Sequence, residues 1–259
     1  MRILFFGDIV GKVGRDAVHL SLPKLVKKYG VDFVIANGEN ASHGKGLTES
    51  NYHFLVESGV DCVTLGNHYH GKSQIDYYID DADNLVRPLN LKGYALGEGS
   101  AVFTVNGLDV RVTNVMGQAF MNEEVEDPIK MMEDLLEETK PCIHIVDFHA
   151  DSTSEKAIFG HFFDGRVTAV LGTHTHVATN DAHILEGGTA FQSDVGMCGD
   201  PDGVIGFEKE SVINRIVYGE GRFELNDKAR MMINAVLIDV DELTYKATAI
   251  TPIVSIVEK

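Results

Sequence analysis

Short apolar runs that close on a glycine or a polar residue alternate, over the first quarter of the chain, with stretches of helical spacing. Arg2–Phe6 is the first such run, and Gly7-Asp8-Ile9-Val10-Gly11 follows it. From Arg15 to Tyr29 the apolar residues Val18, Leu22, Leu25 and Val26 recur at helical spacing. Pro23 marks a kink or restart there, and Gly30 stands where glycine ends a helix. Asp32–Ala36 is the second strand, followed by Asn37-Gly38-Glu39-Asn40. Thr48 reads as the N-cap of a helix running to Ser58 and stopped by Gly59. Asp61–Leu65 is the third strand, ending in Gly66-Asn67-His68. Strand, loop and helix in repetition predict an α/β fold of parallel strands with right-handed crossovers. In such sheets the chemistry collects outside the carboxyl ends of the strands.

The texture then changes. Ala101–Val105 and Asp109–Val115 flank Asn106-Gly107, the signature of a hairpin with a type I′ turn. Asp127-Pro128 supplies an N-cap and a first-turn proline for a helix reaching Thr139. Cys142–Val146 is a strand that leads into Asp147-Phe148-His149-Ala150-Asp151, and Ser154–Phe163 reads as helical. Val167–Leu171 is a buried strand closing on Gly172-Thr173-His174-Thr175-His176. His183–Leu185 and Thr189–Gln192 form a hairpin around Gly187-Gly188, and Asp194–Gly206 is a glycine-rich loop long enough to suggest function. Ala235–Val240 and Tyr245–Ile250 read as antiparallel strands. No repeat or linker divides the 259 residues, which predicts one domain over 1–259.

Composition narrows the function classes. The apolar runs are too short to span a bilayer, and the first strand meets Asp8 too early for a signal peptide. Cys62, Cys142 and Cys198 are widely spaced and odd in number, which argues against a disulfide framework. The expected compartment is the cytoplasm. A formal net charge of −17 without a basic block excludes duplex nucleic acid and a membrane surface as partners. A cationic site in such a chain has to come from bound metal.

Five strand ends carry ligand-type residues: Asp8; Glu39 and Asn40; Asn67 and His68; His149; and His174 with His176. Each has a plain alternative. Asp8 could cap a helix, the asparagines could be turn residues, and a lone histidine such as His149 is commonly structural. Coincidence at five ends is less credible than at one. Two carboxylates, two amide oxygens and three imidazoles form a mixed nitrogen and oxygen set suited to Fe, Mn or Zn rather than Ca. Seven donors exceed the need of one catalytic ion and suit two ions sharing a carboxylate, an arrangement that clamps an in-line displacement at phosphorus.

The order GD, an acidic residue, GNH, a lone histidine and G-[HT]-x-H is similar to that of the calcineurin-like metallophosphoesterases. Gly7-Asp8-Ile9-Val10-Gly11, Asn37-Gly38-Glu39-Asn40, Gly66-Asn67-His68, Gly172-Thr173-His174-Thr175-His176 and Asp194-Val195-Gly196-Met197 together resemble one branch, the YmdB-like phosphodiesterases, through nearly the whole chain. The resemblance implies a four-layer α/β/β/α sandwich of two mixed sheets flanked by helices. It also implies a pair of divalent or mixed-valence ions and hydrolysis of 2′,3′- or 3′,5′-cyclic nucleotides. Carried over, Asp8, Glu39, Asn40 and His176 hold one ion, and Glu39, Asn67, His149 and His174 the other, with Glu39 bridging. The superfamily's DxH is here Asp8-Ile9-Val10, so Asn40 takes the missing histidine's place, and its bridging Asp is here Glu39. Both changes belong to the branch. The aromatic residue expected two positions past the GNH histidine is here His70, and the chain has no Trp.

On this reading a metal-bridging hydroxide attacks the phosphorus, and His68, which is not needed as a ligand, protonates the leaving alkoxide. His70 is a second candidate for touching substrate, while His43, His53, His144, His161 and His183 read as structural or exposed. Two competing readings keep the metals. One is a phosphomonoesterase or RNA-end phosphoesterase, and the other is a nucleotide-sensing regulatory protein with little turnover. The expected partner is a small cyclic nucleotide or another phosphoester, and a homo-oligomer is compatible with the sequence.

Overall fold

A computed structural model describes residues 1–258. Its strands, in chain order, are β1 (Arg2–Phe6), β2 (Asp8–Ile9), β3 (Phe33–Asn37), β4 (Cys62–Thr64), β5 (Leu85–Val86), β6 (Ser100–Val105), β7 (Leu108–Met116), β8 (Ile143–His149), β9 (Ala169–Thr173), β10 (His183–Ile184), β11 (Ala190–Gln192), β12 (Met197–Cys198), β13 (Met231–Val240) and β14 (Ala247–Val257). The helices are α1 (Gly11–Tyr29), α2 (Glu49–Glu57), α3 (Pro128–Glu138), α4 (Thr153–Phe162) and α5 (Lys209–Ile213).

Two six-stranded sheets carry the architecture, ordered β14-β13-β1-β3-β4-β5 and β10-β11-β9-β8-β7-β6. In the first, β1, β3, β4 and β5 are parallel, while β13 runs antiparallel to β1 and to β14. In the second, β7, β8, β9 and β11 are parallel, with antiparallel β6 and β10 at the edges. Both sheets are therefore mixed.

Alternation along each strand sorts the side chains into layers. On β1, Leu4 and Phe6 face α1 and α2, with Val18, Leu22 and Leu55 in the same cluster. Ile3 and Phe5 face the other way, into a seam shared with Val110, Val112, Ile143, Ile145 and Leu171 of the second sheet. Val146, Phe148 and Val170 on that sheet's far side pack with Met132 of α3 and Phe159 of α4. Helices, sheet, sheet, helices: this is the four-layer α/β/β/α sandwich of two mixed sheets that the motif resemblance implies.

The local signals act as expected at several points. Gly30 ends α1 at φ 62°, and Thr48 caps α2 by accepting from the Asn51 N–H. Asp127 accepts from the Ile129 and Lys130 N–H groups at the start of α3. Asn106 and Gly107 both have positive φ, as a type I′ turn requires.

The differences have physical causes. α1 starts at Gly11, not Arg15, and continues through Pro23 without a restart; Val10 is its N-cap, with no side-chain cap to flag the start. Asp194–Gly206 is not bare loop, because Met197–Cys198 pairs with Asp8–Ile9 in a small parallel ladder. A two-residue strand carries no periodicity to read. β14 runs on past Ile250 to Val257: Thr251-Pro252 interrupts the apolar run, and pairing with β13 carries the strand through it. α5 and the π-helical turn Asn214–Tyr218 form an exposed arm with no buried residue, which went unanticipated.

Candidate metal centre

The seam between the sheets changes character along its length. Inward positions on β3 run Phe33, Ile35, Asn37, and on β8 they run Ile143, Ile145, Asp147, His149. On β4 the pair is Cys62 then Thr64, and on β9 the run is Ala169, Leu171, Thr173. The strands' carboxyl ends therefore supply a polar floor to an otherwise apolar sandwich. At its centre is the buried carboxylate of Asp147. It accepts from Asn37 Nδ2 at 2.9 Å, from Thr173 Oγ1 at 2.6 Å and from the Thr64 hydroxyl.

Above this floor the five predicted strand ends converge. Glu39 is 1% exposed. Its Oε1 accepts from Asn40 Nδ2 at 2.9 Å, and its Oε2 accepts from the His68 backbone N–H at 2.9 Å and lies 3.4 Å from His149 Nε2. His149 Nε2 is also 2.9 Å from Asn67 Oδ1 and 3.1 Å from His174 Nδ1. On the other side, His176 Nε2 lies 3.1 Å from Asn40 Nδ2 and 3.8 Å from Asp8 Oδ1. Asp8 Oδ2 accepts from the His174 N–H at 3.1 Å. The two oxygens of Glu39 thus face different groups, Oε1 towards Asn40 and Oε2 towards His149. All seven predicted ligand residues are brought together, and Asp8 is not a helix cap.

Hydrogen bonds fix which ring atoms face the cluster. Thr173 gives its hydroxyl hydrogen to Asp147, so its Oγ1 accepts from His149 Nδ1 at 2.8 Å, and His149 presents Nε2. His176 Nδ1 donates to the Ile205 carbonyl at 2.9 Å and leaves Nε2 pointing inward. His174 and His176 hold φ values of 102° and 65°, rare for residues with side chains. The turn is clamped from below. Asp194 Oδ2 accepts from the Thr175 N–H at 3.1 Å, from Thr175 Oγ1 at 2.8 Å and from buried Lys156 Nζ at 2.8 Å.

Electrostatics match a centre built for cations. Burial lifts the Asp8 carboxyl to about 6 against the pull of His176 and His149. Burial also opposes charge on Glu39 and on His149, but each favours the other's charged form. Glu39 is held well below the usual carboxylate range, and His149 is raised to about 9. Burial and the neighbouring His149 push His174 down to about 3, leaving its imidazole neutral. Asp8 Oδ1 is buried and finds no hydrogen-bond partner among the described residues. Gly66 lines the same space, and a Cβ there would collide with Glu39 Oε2 and His149 Nε2. An orphaned carboxylate oxygen, two imidazoles locked with Nε2 inward and a wall that tolerates no methyl group fit bound metal ions.

His68 sits at the mouth, its side chain 29% exposed, with Nδ1 2.7 Å from Asn40 Oδ1. His70 turns away and pairs with Asp76 Oδ2 at 2.8 Å, beside Tyr69 and Tyr94. His144 is buried, while His43, His53, His161 and His183 are exposed. Sequence reasoning missed Asp147, Thr173, Lys156, the Ile205 carbonyl and Glu123. Inward alternation on β8 could have flagged Asp147. Glu123, on the connection from β7 to α3, lies 3.5 Å from Asn67 Nδ2 and had no local signal at all.

Comparison with known proteins agrees with this geometry. Residues 4–253 match the family model described as YmdB-like protein. The chain is 46% identical over 254 residues to the 2′,3′-cyclic-nucleotide 2′-phosphodiesterase of Bacillus subtilis (strain 168), covering 96% of this chain and 95% of that one. A crystal structure described as a novel phosphatase from Mycoplasma pneumoniae superposes with a TM-score of 0.93 at 39% identity, covering 99% of this chain and 93% of that one. A crystal structure of a hypothetical protein from Thermus thermophilus gives 0.92 at 40% identity, covering 99% of both chains.

Proposed function

The chain belongs to the YmdB-like family of the calcineurin-like metallophosphoesterases, and from that membership we propose that it is a dinuclear-metal phosphodiesterase of small cyclic nucleotides. It is a hydrolase of phosphoester bonds, in keeping with the phosphodiesterase and phosphatase that it resembles. The preferred substrate is a 2′,3′-cyclic nucleotide, which the Bacillus relative is named for, with 3′,5′-cyclic nucleotides as the second class.

Asp8, Glu39, Asn40 and His176 would hold one ion and Glu39, Asn67, His149 and His174 the other. The observation that carries this assignment is the division of Glu39, whose two oxygens face the two groups. Fe or Mn suits the donor set, and Zn is also accommodated by it. The pair would supply Lewis acidity towards a phosphoryl oxygen and a nucleophile at neutral pH. The protein's own groups do the rest. Thr173 and the Ile205 carbonyl fix the tautomers of His149 and His176. Asp194 and Lys156 hold the turn between the two HxH histidines. His68 donates from Nδ1 to Asn40 Oδ1, so that in its protonated form the second N–H, on Nε2, is free to go to the departing alkoxide.

The deciding experiment combines metal content, by plasma mass spectrometry on anaerobically purified protein, with hydrolysis of 2′,3′-cyclic AMP. Two ions per chain with turnover is the expected result. Two ions without cleavage of any cyclic nucleotide would overturn the substrate assignment. Folded protein that neither carries nor takes up metal would overturn the centre itself.

A further inference from the structure

Between β7 and α3 the chain runs as the loop Gly117–Val125, which meets the candidate centre at Asn67. Both of its ends are tied down. The Gln118 and Ala119 N–H groups donate to Glu155 of α4 at 2.8 and 3.2 Å, and Gln118 Nε2 donates to the Val125 carbonyl at 3.0 Å. Val125 is buried, while Phe120 at the tip is 83% exposed. Within this held loop Glu123 turns back towards Asn67. Its Oε1 lies 3.5 Å from Asn67 Nδ2, on the opposite side of that amide from the oxygen facing His149 Nε2. Its Oε2 is buried and has no hydrogen-bond partner among the described residues.

A carboxylate oxygen shielded from water and left without a donor is costly unless something else uses it. The metal reading above does not, because its donor set is complete without Glu123. What the position does supply is negative charge at the edge of a phosphate-binding centre. A phosphodiester carries one negative charge, whereas a monoester carries nearly two above its second ionisation near pH 6. We propose that Glu123 is a charge filter, a specificity-determining residue that disfavours a second charge on the bound phosphate and so biases the centre towards diesters. The free Oε2 can in addition accept a hydrogen bond from a hydroxyl or amino group of the substrate. The proposal rests on the phosphoesterase reading, which it refines.

The test uses metal-loaded wild type, Glu123→Gln and Glu123→Asp at pH 8. Titration calorimetry compares inorganic phosphate, mostly a dianion there, with dimethyl phosphate, a monoanion. Glu123→Gln is expected to bind inorganic phosphate roughly 5- to 20-fold tighter than wild type, the scale of one unit charge a few ångströms away in a partly solvated site. Dimethyl phosphate, with half the charge, should tighten by about the square root of that factor, roughly two- to four-fold, and Glu123→Asp, which retains the charge, should keep the wild-type preference. Steady-state kinetics should repeat the split. The kcat/KM for p-nitrophenyl phosphate rises by a similar factor, chiefly through KM, while that for the monoanionic bis-p-nitrophenyl phosphate rises by the smaller, roughly two- to four-fold, factor. Equal shifts for both probes would show that Glu123 acts only through Asn67 and would overturn the filter. Loss of metal from Glu123→Gln, measured on the same samples, would overturn it by making Glu123 a ligand. A wild type that cleaves neither ester while the calorimetric split persists would remove the phosphoesterase reading and uphold the filter.

Discussion

At Gly66 the backbone passes so close to Glu39 and His149 that an added methyl group would occupy the space between them. Gly66→Ala is therefore expected to lose most bound metal, and activity with it, by plasma mass spectrometry and assay. Retention of two ions would show that they sit elsewhere. Two residues further round the same turn is His68, whose loss is a different kind of damage. His68→Ala should leave metal content near normal while turnover falls by roughly 10²–10⁴-fold, the scale of a lost general acid. Metal lost together with activity would make His68 a ligand. Protonation ties these residues to pH. In the metal-free protein His149 is raised from its usual 6.5 to about 9, so its contribution to stability is complete below 6.5 and lost as pH rises through 9. Asp8 is raised from 3.8 to about 6 and favours the fold when neutral, so its contribution also falls as pH rises, over the lower window from 3.8 to 6. Metal-stripped protein should accordingly melt at lower temperature at pH 9 than at pH 6.5. Metal uptake must displace the proton on His149, so affinity should climb across that same window with proton release, measurable by calorimetry in two buffers of different ionisation heat. A pH-independent affinity would contradict the charge state assigned to His149. The seven residues proposed as ligands were legible in the sequence because polar residues at the ends of apolar strands stand out, most of them beside a glycine. Asp147, Thr173 and Glu123 were not, since each depends on which residue another strand or loop places opposite it.

At the scale of the element, the HxH turn after β9 needs its two positive φ values held in place. Asp194 does this through Thr175, and it in turn neutralises Lys156, an amine 1% exposed inside α4's packing face. Asp194→Ala strands that amine, and removing one partner of a buried pair costs about 3–5 kcal/mol. The expected outcome is a fall of that size in unfolding free energy by denaturant titration, together with weaker metal binding as the turn relaxes. A change under about 1 kcal/mol would mean that water reaches Lys156 and the pair is not clamping the turn. Elements announced themselves in the sequence where local chemistry sets their bounds. Thr48, Asp127 and Gly30 did so through caps, and Asn106-Gly107 through its turn. They stayed hidden where tertiary pairing defines them. β12 exists because Asp8–Ile9 lies alongside it, and α1 begins at Gly11 with its N–H on the Asn40 carbonyl rather than on a capping side chain.

For the whole molecule, the formal charge of −17 works against its own anionic substrate. Screening by salt should help: kcat/KM for an anionic diester is expected to rise by roughly two-fold between about 50 and 200 mM salt, measured at fixed pH and metal. A fall would show that the local field at the mouth is positive enough to steer ligands in. Among the described residues no helix is long and apolar enough to cross a membrane. The layer order followed from strand–helix alternation, but nothing local reveals that β1 lies between β3 and β13, with Phe5 opposite Ile35 on one side and Val236 on the other. That pairing has a consequence for synthesis. A chain emerging from a ribosome, N-terminus first, presents β1 more than two hundred residues before that strand's second neighbour β13. Until then one edge of β1, apolar on both faces, is open to pairing with other chains. Ending translation before Met231 would leave that edge open for good, so an early stop is expected to give aggregated product, not a soluble fragment of the enzyme.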